Sequence, residues 1–83
     1  MRAPERVTVG AWSGVVGQPL PRRELECVLH IAGGQTHKQI ARALGVSPST
    51  ILKTVERARF RLAVANGAQL VAEAARSGAI TIA

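Results

Sequence analysis

Apolar and polar positions follow two rhythms along this chain. In its middle they repeat at helical spacing. Leu25, Val28, Leu29 and Ala32 make one stripe, and Ile40, Ala41 and Leu44 a second. Ile51, Val55, Ala58 and Leu62 make a third, and Leu70, Val71 and Ala74 a fourth. The last segment carries a further stripe of alanine alone, Ala68, Ala72 and Ala75. At the two ends the rhythm shortens to alternation, in Val7-Thr8-Val9 and in Ile80-Thr81-Ile82. The pattern predicts four helices between two short extended triplets, which could pair as a two-stranded ribbon, within one chain or across a dimer.

Residues with strong local preferences set the helix boundaries. Pro21 suits the first turn of the first helix, where its missing N–H would have no partner anyway. That helix should span residues 21–32, with Glu24 and Glu26 early, where the dipole favours anions. Gly33-Gly34 ends it. Thr36 and Gln39 form a capping box that opens the second helix, and Gly45 closes it. Ser47 caps the third helix and Pro48 takes its first position, so the helix covers about residues 48–62. Asn66 caps the fourth, which should end near Ser77-Gly78. Before residue 20, Gly10, Gly14 and Gly17 interrupt any longer element, which leaves residues 1–19 as an arm and residues 20–83 as the folded domain. Trp12 is expected to fold back onto the helices.

Composition narrows the reading. The chain has 83 residues, enough for one core. A domain this small buries only roughly 60% of the surface its unfolded chain exposes, so self-association would help it. Its apolar fraction of 47% comes mostly from small aliphatic residues, with only Trp12 and Phe60 aromatic, which favours close-packed helices. The formal charge is +6, with no aspartate, which suits a polyanionic partner. No apolar run approaches the ~20 residues of a membrane span. The single cysteine, Cys27, excludes an internal disulfide and fits a reducing cytoplasm.

An enzyme is not expected. Cys27, His30 and His37 are too few for a structural zinc site, which takes four ligands. There is no phosphate-binding G-x-x-x-x-G-K-[ST] loop and no aspartate to orient a histidine. Glu24 and Glu26 lie on different sides of their helix and read as helix-start charges. No cofactor is expected.

The third helix carries the readable chemistry. At 100° per residue its apolar stripe leaves Ser49, Leu52, Lys53, Glu56, Arg57 and Phe60 on the opposite side, with Thr50, Thr54 and Arg61 at the boundary. A short helix, a glycine turn and a basic second helix form a DNA-binding helix-turn-helix signature. Ser49, Leu52, Lys53, Glu56 and Arg57 are placed to reach base edges: Glu56 can accept from a cytosine amino group, and Leu52 can pack on a thymine methyl. Thr36, Lys38, Thr50, Thr54 and Arg61 suit phosphates. Phe60 is assigned a structural contact with the arm or Trp12.

Residues 20–80 resemble the LuxR/GerE-type helix-turn-helix domain. The resemblance rests on Arg23-Glu24-x-Glu26, Ile31-Ala32-x-Gly34, Lys38-x-Ile40-Ala41, Leu44-Gly45-Val46-Ser47, Thr50-Ile51, Leu62-x-Val64 and Asn66-x-x-x-Leu70-Val71. It implies an all-α, four-helix domain whose third helix enters the major groove of double-stranded DNA. It also implies homodimers that meet through the fourth helix, at Ala68, Ala72 and Ala75, on a two-fold site. The reading helix departs from the family pattern. The usual lysine position holds Leu52, with Lys53 one residue later; the usual histidine is Thr54; another base-reading position is Glu56. Gly67 stands where a basic residue is common, and Pro21 where a threonine usually caps the first helix.

The expected function is a sequence-specific transcriptional regulator, a dimeric repressor working without an attached receiver or sensing domain, with a partner regulator or RNA polymerase as a further contact. Three alternatives stand beside it: a sigma region 4-like domain, suggested by Arg59-Phe60-Arg61-Leu62; a protein-interaction module on the same fold; and a DNA-binding fragment of a larger response regulator. The sigma-type domain would not need a fourth helix capped by Asn66.

Overall fold

A computed structural model describes residues 3–83. The elements run β1 (Arg6–Val9), β2 (Trp12–Val15), α1 (Arg22–Ala32), α2 (His37–Leu44), α3 (Pro48–Leu62), α4 (Gly67–Arg76) and β3 (Ile80–Ile82). Four helices form the body, and one small sheet joins the two ends of the chain.

Helix boundaries follow from the capping chemistry. In α2 the Gln39 N–H donates to Thr36 Oγ1 at 3.2 Å, and the Gln39 side-chain carbonyl accepts from the Thr36 N–H at 2.8 Å. Gly45 closes this helix in the left-handed region, at φ 70°. Ser47 Oγ accepts from the Thr50 N–H at 3.2 Å to start α3, and Asn66 Oδ1 accepts from the Gln69 N–H at 2.9 Å to start α4. At α1, Pro21 is the cap and the first helical residue is Arg22. Its extended ψ of 161° keeps it outside the helix, although its carbonyl accepts from the Leu25 N–H.

The helical stripes meet in one core. Leu25, Val28 and Leu29 of α1, Ile40 and Ala41 of α2, Ile51, Val55 and Ala58 of α3, and Leu70 and Ala74 of α4 are buried together. Leu20, Ala79 and Ile80 close its edge. Cys27 is part of it, and desolvation pushes its thiol up to about 11. At neutral pH it is a packed thiol, not a nucleophile. His30 is also buried and hydrogen-bonds through Nδ1 to Gln35 Oε1.

The sheet differs from the expected ribbon. The two terminal triplets do not pair with each other; β2 lies between them and is antiparallel to both, in the order β1-β2-β3. The register puts Val7, Gly14 and Ile80 in one row and Val9, Trp12 and Ile82 in another. Gly14, expected to break structure, is a central strand residue. A Cβ there would fall 2.6 Å from the Ala79 carbonyl oxygen and 2.7 Å from Leu25 Cδ1. Only a residue without a side chain lets β2 sit this close to α1 and β3. Trp12 is half-buried against the core. On the opposite face Ser13 is buried beneath Arg6, whose Nη1 donates to its hydroxyl at 3.1 Å. The Val7-Gly14-Ile80 row packs on the helices, while Ile82 at the end of the other row stays exposed.

Candidate nucleic-acid interface

α3 is the element from which a recognition surface can be built. Ile51, Val55 and Ala58 hold one side of it in the core. That leaves Ser49, Leu52, Lys53, Glu56 and Arg57 exposed on the other, with Phe60 among them. The order of residues along the helix gives this face a polarity. Its start carries hydroxyls: Ser47 Oγ lies 3.0 Å from Ser49 Oγ and 2.9 Å from Thr50 Oγ1. Its middle carries Lys53, Glu56 and Arg57, which with Phe60 and Arg61 line one shallow hollow. Exposed Thr36, Lys38 and Arg42 of the α2 region add further polar and cationic groups.

Two residues expected on phosphates are occupied elsewhere. Thr54 is only 4% exposed, and its hydroxyl donates to the Thr50 carbonyl at 2.8 Å. It satisfies itself on its own helix and is turned away from the outer surface. Arg61 reaches across to α1 and grips Glu24 with both arms of its guanidinium, Nε to Oε1 at 2.9 Å and Nη2 to Oε2 at 3.1 Å. Glu24 is nearly closed off, with its side chain 8% exposed, and Arg61 keeps 43% of its own surface. Hydrogen bonding to this carboxylate, then its charge, raises the Arg61 pKa above the usual arginine value. The pair is a two-pronged tie between α1 and α3. Glu24 is therefore an anchor for α3 more than a helix-start charge. Sequence spacing could not reveal it, because the partners lie 37 residues apart.

Phe60 also departs from its expected structural contact. It contacts neither the arm nor Trp12 but stands 89% exposed, more than Leu52 at 47%. The available signal was its angle on the helix, opposite the buried stripe; its aromatic character suggested core instead.

On α4 the alanine stripe stands apart from the core. Ala68, Ala72 and Ala75 are exposed, while Leu70 and Ala74 are buried. Among the described residues no group of three or more His, Cys, Asp or Glu is placed to hold a metal ion. Nor, among those residues, is any helix long and apolar enough to cross a membrane.

The family described as bacterial regulatory proteins, luxR family, matches residues 18–74. The chain belongs to the LuxR family. No curated protein and no solved structure matches it significantly. The LuxR-family match runs from just before α1 into α4, so it contains the whole α2–α3 unit and none of the three strands. Membership makes this a DNA-binding helix-turn-helix domain of transcription regulation, which acts on double-stranded DNA.

Proposed function

We propose that this LuxR-family protein is a sequence-specific regulator that binds a two-fold DNA site as a homodimer, with α3 in the major groove. The observation that carries the reading is the division of α3 into a buried side and an exposed, cation-bearing side. Ser49, Leu52, Lys53, Glu56 and Arg57 read bases, and Thr36, Lys38 and Thr50 hold phosphates. Lys53 and Arg57 are one helical turn apart and can serve a guanine edge and a neighbouring phosphate. Glu56 accepts from a cytosine amino group, and Leu52 covers a thymine methyl. Thr54 and Arg61 leave the contact set for the reasons given by their hydrogen bonds. Two copies meet through the exposed alanines of α4, where small side chains let helices approach closely. Bound over a promoter, such a dimer represses by excluding polymerase.

Selection of bound duplexes from a random pool, followed by affinity measurement, tests this. The selected site should be a palindrome that binds two chains. Its affinity should fall steeply between ~50 and ~200 mM salt, as counterion release requires. Lys53→Ala and Arg57→Ala should each weaken binding by about tenfold or more, with unchanged melting temperature. Salt-independent binding, or full affinity in both variants, would overturn the DNA role of this face. One chain per site would overturn the dimer, and activation of transcription from the selected site would overturn repression.

A further inference from the structure

Phe60 is the most exposed large apolar side chain of the described residues. Nothing in the fold uses it: the core closes without it, and Trp12 lies on the sheet instead. Its direction is informative. At 100° per residue, Phe60 falls within ~20° of both Ser49 and Lys53 around α3, and ~40° from Glu56. It therefore points where the base-reading residues point. Along the axis it lies about 16 Å beyond Ser49, so with α3 lying along the major groove rather than across its ~12 Å width the ring stays over base edges. With the start of α3 among the bases, its ring comes to the outer edge of the contacted site.

The surroundings identify what covers the ring. Lys53, Arg57 and Arg61 line the same hollow, with Glu56 the one acidic group. With Arg61 paired to Glu24, Lys53 and Arg57 still outweigh Glu56, and this net positive charge attracts a polyanion to the spot where the phenyl stands. Among base edges in the major groove, the outstanding apolar group is the C5 methyl of thymine. We propose that Phe60 is a specificity-determining residue that packs its ring on the methyl group of a thymine at the edge of each half-site. This inference rests on the proposal that α3 reads DNA. It adds a reading position outside the Ser49–Arg57 segment.

The full chain and its selected duplex provide the test. Replacing thymines one at a time by deoxyuridine removes single methyl groups and leaves base pairing unchanged. At one thymine per half-site the wild-type protein should lose about fourfold in affinity, the worth of one buried methyl-sized group. Phe60→Ala should bind the parent duplex several-fold more weakly and be indifferent to uracil at that position. Leu52→Ala should keep the sensitivity there, which assigns the methyl to Phe60. Because the ring is exposed, Phe60→Ala should melt like the wild type, so lost affinity is not lost fold. Equal affinity of Phe60→Ala and wild type would overturn the proposal. So would a loss that is uniform over all sequences, or one accompanied by a change in self-association. If the wild-type chain selects no DNA at all, the broader DNA reading falls and this one with it. If it selects DNA that Lys53→Ala loses and Phe60→Ala keeps, only the role of Phe60 falls.

Discussion

The α2–α3 unit and the three-stranded sheet are similar in importance to the fold but are held in opposite ways. Each boundary of α2–α3 is set by residues within a few positions of it. Thr36 with Gln39, Gly45, and Ser47 with Pro48 start and stop the helices locally. The sheet has no such autonomy. β2 is ordered by β1 beside it in sequence and by β3 more than sixty residues away, and all three lie outside the stretch matched by the LuxR family. A two-stranded piece would be marginal by itself; the third strand and the packing on α1 complete it. The α2–α3 unit thus depends on local caps and a core, while the sheet ties the two ends of the described chain to that core. Perturbing the sheet should cost stability and leave DNA recognition by the folded state intact. Perturbing the outer side of α3 should do the reverse.

The largest effect on stability should come from Gly14→Ala. The new Cβ would meet the backbone oxygen of Ala79 at 2.6 Å, and a backbone atom cannot rotate aside as a side chain can. Separation of β2 from β3, or a shift of α1, should cost about 2–3 kcal/mol. Urea unfolding reads this directly. Affinity for the selected duplex, measured where the variant is still folded, should stay within about twofold of wild type. A large affinity loss in the folded variant would break the division between the two regions, because it would mean that the sheet shapes α3.

Arg61→Ala should come next, and it probes the boundary between the regions. The residue sits on α3, the proposed recognition helix, yet its guanidinium is spent on Glu24. Its removal leaves a nearly enclosed carboxylate without its cation, so the midpoint of unfolding should fall, by less than for Gly14→Ala. Glu24→Gln in the same chain should restore part of the loss, since a neutral amide is cheaper to leave enclosed than a carboxylate. The number of counterions released on DNA binding should be unchanged. A salt slope shallower by about one would return Arg61 to the phosphate contacts.

These contrasts explain which parts of the molecule could be read in advance. All four helices were legible because Thr36, Gly45, Ser47, Pro48 and Asn66 each act on their own neighbourhood, and the apolar stripes repeat at 3.6-residue spacing. The strand Trp12–Val15 was hidden because Gly10, Gly14 and Gly17 look like breaks. At Gly14 the glycine answers a contact with Leu25 and Ala79 that exists only after folding. The tie between Glu24 and Arg61 was hidden for the same reason, and so Arg61 was read as one more cation on a basic helix. On the candidate interface, helical angle proved a better guide than residue type. It placed Leu52, Lys53, Glu56 and Phe60 outward in agreement with their exposure, and only the aromatic character of Phe60 pointed to a contact with the arm or Trp12. Thr54 lay near the boundary of the face, where a rotation of a few tens of degrees decides between solvent and core.

The smallest effect concerns the one boundary of the recognition unit where residue and backbone disagree. α3 ends at Ala63, which takes the left-handed conformation at φ 57°, a region that glycine occupies without steric cost. The turn holds because Val64 N–H donates to the Arg59 carbonyl at 3.0 Å and Arg59 Nη1 donates to the Ala65 carbonyl at 2.6 Å. Those bonds bring Asn66 to its place as the cap of α4, so the strained residue sits between the proposed reading helix and the proposed dimer helix. Ala63→Gly removes the contact between Cβ and the following carbonyl, and it also raises the entropy of the unfolded chain. The first term is the larger, giving a net gain of about 0.5–1 kcal/mol in urea unfolding. DNA affinity should be unchanged if the existing turn already sets the angle between α3 and α4 correctly. A stabilised variant that binds its two-fold site less well would show that the strain at Ala63 helps to set the spacing of the two reading helices.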